Sequence, residues 1–152
     1  MQPLVFLHAL AGLLGTIAFG WVLLELRKPG KENYAMAHTA AALGIILLLF
    51  SWAMGGFYYV TVYGPSVKPL VKQEAAWVHD IGTETKEHIF LFLPFLALAD
   101  LALVDYAFRR KSAAALKLAQ LFAAAILVLG LIVTVEGFVI SNTARAALEA
   151  GA

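Results

Sequence analysis

The chain is 152 residues long, 62% hydrophobic, only 14% charged, and carries a net charge of +1. That apolar content lies well above the roughly 45–50% of soluble domains, which points to an integral membrane protein with one domain's worth of chain. Cysteine is absent, so disulfides, thiolate zinc sites, iron–sulfur clusters and cysteine nucleophiles are excluded, and no basic patch interleaved with aromatics marks nucleic-acid binding.

Runs of about 20 apolar residues are long enough to span a bilayer. They predict four helices, at about 3–26, 36–62, 88–108 and 114–140. The expectation is an all-α, integral membrane four-helix bundle filling one transmembrane domain, 1–152. The first run has no basic segment before it and reads as a retained helix rather than a cleaved leader. RKPGKEN at 27–33 and RRKS at 109–112 give short connections, and short connections favour antiparallel neighbours, hence an up-down-up-down order.

The middle connection is different. YGPSVKP at 63–69 opens an outer loop over 63–87, long enough to predict a short interfacial helix within it, with Trp77 at headgroup level. Within this loop His79 reads as solvated. Arg27, Lys28, Lys31, Arg109, Arg110, Lys111 and Lys117 fall on one side, against Lys68, Lys72, Lys86 and Arg145 on the other. The excess of Lys and Arg marks the cytoplasmic side, so both termini face outward, and a prokaryotic inner membrane is the expected location.

Ionisable residues inside apolar helices are costly and mark pairs, cavities or pathways. They sort into two layers. In the outer layer, His8 opens the first helix, TETKEHIFLF at 83–92 opens the third, and Glu136 interrupts LIVTVEGFVI near the end of the fourth, with Tyr58 and Tyr59 ending the second. Thr83 reads as an N-cap, with Glu84 and Glu87 complementing the positive end of the helix dipole. Glu136 demands a partner, for which His8, His88 and Lys86 are the candidates.

His8 and His88 lie on diagonal helices at one depth, as axial haem ligands do in a bundle. Gly12 and Gly15 share the face of His8, and Gly56 supplies space on the second helix, although small residues also serve plain helix packing. These placements predict haem b held by His8 and His88, with Glu136 orienting a ligand or accepting a proton, in an electron-transfer protein that exchanges electrons with quinol or quinone. In helix count and ligand placement alone the chain is similar to four-helix b-type membrane cytochromes; no motif matches residue by residue.

A second reading gathers His8, Glu84, His88 and Glu136 around a Zn, Fe, Mn or Cu ion, in a metal-binding or ion-translocating protein. A third makes the chain an accessory subunit whose polar residues dock other membrane subunits. In the inner layer, His38 is expected to pair with Glu25 or Asp100, Asp105 and Glu25 to meet the basic turns, and Asp100 to serve proton or ion passage. Pro94 is expected to kink the third helix and free the carbonyl of Phe90.

Overall fold

The computed structural model describes residues 3–28 and 30–150; Pro29 of the first turn and the two residues at each end lie outside them, as do the side chains of Lys31 and Glu32. The described residues are all α, without a strand. Four long segments are present: α1 (Pro3–Glu25), α2 (Lys31–Tyr58), α4 (Glu84–Arg110) and α5 (Ala113–Ala150), with a shorter α3 (Lys68–Trp77) between α2 and α4.

They are not four separate helices. Among the described residues helical backbone is interrupted only around 26–30 and at 111–112, so three continuous runs are present. The middle one covers 31–110. The expected outer loop over 63–87 is replaced by a π-helical segment at Tyr59–Val67, α3, and a second π-helical segment at Val78–Thr83. π-Helical turns keep the backbone hydrogen-bonded while changing its direction. A kink at Ala75 (φ −153°, ψ 81°) adds a further bend, and the run doubles back so that α4 packs on α2.

The three runs 3–25, 33–110 and 113–150 are each long and apolar enough to cross a membrane. Around the bundle each helix touches two neighbours, in the order α1, α2, α4, α5 and back to α1. α1 and α4 are therefore diagonal. The closest pair is α1 with α2, where small residues let the backbones approach: a Cβ at Gly44 would sit 2.6 Å from the Phe19 ring, and one at Gly15 3.0 Å from Leu48. Phe19, Val22, Leu48, Leu93, Ala97, Val104, Ala123 and Ile126 fill the core between the helices.

The turns have local causes. Gly30 takes φ 133° ahead of α2, a conformation that side chains disfavour. After α4, Lys111 is left-handed at φ 50°, and the Ser112 hydroxyl accepts from the Ala115 N–H at 3.2 Å, capping α5.

α5 has 38 residues, about 57 Å of helix at 1.5 Å per residue, and extends ten residues past its expected end at 140. The extension is used. Ile140 and Ala144 pack on a second small core of Tyr63, Val67, Val71 and Val78, so the last turns of α5, α3 and the two π-helical segments form a compact cap on one end of the bundle.

Candidate functional site

The candidate site lies beneath this cap, where α1, α2, α4 and α5 each contribute. Ser51 is fully buried in α2, the single hydroxyl within a long apolar run. Its Oγ donates to the His8 carbonyl oxygen at 2.8 Å, and the His8 Nδ1 lies 2.8 Å from the Ser51 carbonyl oxygen. A carbonyl only accepts, so Nδ1 carries the proton and the lone pair of the imidazole is at Nε2.

Lys86 of α4 takes up that lone pair. Its Nζ lies 3.4 Å from His8 Nε2, and its stem runs against Gly137 of α5, bringing the ammonium into electrostatic contact with Glu136. One oxygen of Glu136, Oε2, is buried without a hydrogen-bond partner. Phe90, one turn after Lys86, closes the site from below with its ring at 5.7 Å and 83° to the imidazole. His8, Lys86 and Glu136 thus form one cluster from three helices.

His88 is not part of it. Lys86 and Phe90 stand four residues apart and face His8, and His88, midway between them, falls on the opposite side of α4. It is exposed, and its Nδ1 lies 2.6 Å from the Glu84 carbonyl oxygen of its own helix. The expected diagonal pair is therefore not brought together. Nor do the expected glycines leave room for a porphyrin: Gly12 abuts Ser51 and Gly15 abuts Leu48, while Gly56 faces open space with nothing within 4 Å. The glycine that makes room is Gly55, where a Cβ would lie 2.6 Å from the His8 ring. The residues expected to hold haem b do not fit that group here, because Lys86 holds the vacant imidazole nitrogen and the second histidine faces away.

The four-residue metal set is also divided. Glu84 turns to the cap, where its Oε1 lies 3.9 Å from His79 Nε2, and among the described residues no three His, Asp or Glu side chains are gathered as metal ligands would be. Thr83 is no N-cap. It has helical φ/ψ and makes no capping bond, because helical backbone already precedes it; its hydroxyl instead donates to the Val78 carbonyl oxygen at 3.2 Å.

His79, expected to be solvated, is 1% exposed. The Tyr63 hydroxyl lies 3.3 Å from His79 Nδ1 and 3.3 Å from Thr83 Oγ1, and the Tyr59 ring packs on Tyr63 at 5.4 Å. Burial, with Lys68 and Lys72 nearby, holds the His79 imidazole below the usual histidine value, against the pull of Asp80 and Glu84. Asp80 itself pairs with Lys72 at 2.8 Å, which lowers its carboxyl.

In the inner layer Glu25 is buried and pairs with Lys28 at 3.0 Å, with the Trp21 indole donating at 3.2 Å, so its partner is not His38. Asp105 pairs with Arg109 at 2.9 Å. His38, Asp105, Tyr34, Phe108 and Val104 line a small cavity of ≈ 180 Å³ between the start of α2 and the end of α4. Asp100, one turn above Val104, is fully buried, and neither of its carboxylate oxygens has a partner.

No protein-family model, curated protein or solved structure matches this chain.

Proposed function

We propose that this chain is an integral membrane protein, an up-down-up-down bundle with both termini outside, that translocates protons. The observation that supports it is Asp100, fully buried with neither carboxylate oxygen partnered, joined by the half-buried Glu136 with one oxygen unpartnered, on helical runs apolar enough to cross a bilayer. An anionic carboxylate without a partner at such depth is expensive, and intramembrane acids are kept where ions or protons pass.

The site beneath the cap is the outer station. A proton arriving from outside is taken up by Glu136, next to Lys86 and His8. Asp100 is the inner station, and the cavity beside His38 and Asp105 reaches within one helical turn of it. Asp100 lies fourteen residues along α4 from Lys86, about 21 Å, a stretch faced by Phe90 and Leu93 in the apolar core. Protons do not cross such a stretch unaided, and Pro94, midway along it, gives α4 a place to bend because its missing N–H frees the Phe90 carbonyl.

Proteoliposomes holding a pH-sensitive dye, with potassium and valinomycin setting the voltage, test this directly. Proton entry above that of empty vesicles is expected, falling at least about tenfold in Asp100→Asn and Glu136→Gln, as loss of an essential proton carrier requires. Asp100→Asn removes the cost of the unpartnered acid, so its thermal midpoint stays the same or rises. Wild-type vesicles no leakier than empty ones, or an Asp100→Asn protein that conducts normally, would end the proposal.

One observation favours a second reading. Because Nδ1 of His88 donates to the Glu84 carbonyl, its Nε2 lone pair is free on an exposed face, the arrangement of a metal-ligating histidine fixed by a backbone acceptor. A haem or metal ion held by His88 would take its remaining ligands from another membrane subunit. A reduced-minus-oxidised spectrum and metal analysis of the complex purified in mild detergent check this, with His88→Ala expected to abolish any b-type signal; a protein without haem or metal retires it.

A further inference from the structure

Outside the spanning segments, the cap contains a buried chain of exchangeable hydrogen bonds with no part in the site below. We propose that His79 is a proton-binding site that senses the acidity of the outer solution and transmits it to α4 through Glu84. The transmission to proton translocation rests on the function proposed above; the sensing itself does not.

The hydrogen-bond network can be written out in both protonation states. Thr83 spends its hydroxyl proton on the Val78 carbonyl oxygen, so toward Tyr63 its oxygen can only accept. With His79 neutral, the Tyr63 hydroxyl proton is shared between His79 Nδ1 and Thr83 Oγ1, both at 3.3 Å. When His79 gains a proton, Nδ1–H becomes the donor to the Tyr63 oxygen, and the Tyr63 proton passes wholly to Thr83. Nδ1, the Tyr63 hydroxyl and the Thr83 hydroxyl each keep a partner in both states.

The other nitrogen carries its proton in both states, and what it gains is a share of the new charge. His79 Nε2 and Glu84 Oε1 are 3.9 Å apart, too far for a hydrogen bond. A charged imidazolium draws the carboxylate in by roughly 1 Å to the charge-assisted distance. Glu84 begins α4, two residues before Lys86, so the movement is delivered to the turn that carries the His8 partner.

The charges around His79 set when this happens. Lys68 and Lys72 of α3 oppose its protonation, Asp80 and Glu84 favour it, and burial opposes it more than any of these. Tyr63 faces it from the first π-helical segment, backed by Tyr59, with Glu87 acting on both tyrosines from α4. α5 meets the same cap core with the apolar Ile140 and Ala144. The net effect is a neutral histidine at neutral pH that protonates below the ordinary histidine range, about 6.5.

Trp77, exposed two residues before His79, is the reporter. In a Trp21→Phe, Trp52→Phe background, emission is titrated from about pH 8 to about pH 5, across the ordinary histidine range, while proton flux is measured in parallel vesicles. A reversible one-proton change in Trp77 emission with its midpoint below the ordinary histidine value is expected. His79→Gln should abolish it, and Tyr63→Phe, which keeps the ring but removes the exchangeable proton, should displace its midpoint. An emission profile that is flat, or unaltered by His79→Gln, overturns the sensor. An intact transition with no flux at any pH overturns the translocation reading and leaves the sensor standing. An intact transition with flux whose pH dependence survives His79→Gln overturns the transmission through Glu84.

Discussion

At the scale of single residues, the decisive contacts are made by groups with little chemical signature of their own. Gly55 is the clearest case. A Cβ there would lie 2.6 Å from the His8 imidazole, whereas Gly56 next to it faces open space. Gly55→Ala should displace His8 from Ser51 and cost on the order of 1–3 kcal/mol by overpacking, while Gly56→Ala should change stability by no more than about 0.5 kcal/mol. Thermal unfolding of the two variants in one detergent checks the contrast; equal midpoints would show that the imidazole does not occupy this position.

His8, Glu136 and Asp100 are legible in the sequence as residues needing explanation, because each stands out against an apolar background. Their partners are less so. Helical spacing puts Gly56 rather than Gly55 toward the neighbouring helix, an error of one residue and hence about 100° of helix face. His88 departs from its expected face for the same reason: sequence gives depth along a helix well, but its rotation only through an amphipathic pattern, and helices apolar all round have none. Ser51 carries a signal that could have found it, as a lone hydroxyl in LLLFSWAMGG, on the face of Gly55 four residues on. Lys86, one of the candidate partners of Glu136, is the partner of His8 as well.

At the scale of elements, the four apolar runs and two short turns correspond to observed helices within a few residues at most ends. The connection between α2 and α4 does not. Pro65, Gly64 and Pro69 read as loop punctuation, yet a π-helical turn and the first turn of a helix both accommodate proline without a broken chain. The ten extra residues of α5 escape a reading by hydropathy too, since Asn142, Arg145 and Glu149 end the apolar run without ending the helix. Their role is tertiary. Ala144 packs on the cap core, and Ala147 is buried beside it. Ending the chain after Ile140 should leave the bundle folded but open the cap, and limited proteolysis should then cut within 59–83 many times faster than in the full chain, because protection there follows local opening. Unchanged cleavage would mean that the cap is held by the bundle alone.

At the scale of the whole molecule, two ends with different chemistry are joined by a dry middle. The capped end carries His79, Tyr63, Lys86, His8 and Glu136; the other carries Glu25, His38, Asp105 and the basic turns, with Asp100 between. Exposed Ile46, Phe92 and Phe95 flank the middle, with Phe6 and Val135 towards the capped end and Leu121 towards the other, more exposed apolar surface than a water-soluble chain ordinarily shows. Burial also fixes how the cap responds to acid. His79 is held below its unfolded value, so its contribution to cap stability is complete above about 6.5 and declines as pH falls through that value toward the folded one.

The dry middle has an electrical consequence. A low-dielectric slab about 21 Å long, from Lys86 to Asp100, is where most of a transmembrane potential would fall. Under the proposed translocation a proton held at Glu136 would feel little of that field, while one handed to Asp100 would have crossed most of it, gaining or losing about 2.3 kcal/mol for each 100 mV. Capture and work would thus be separated: pH would govern the filling of the outer station, and voltage the passage past Pro94 to the inner one.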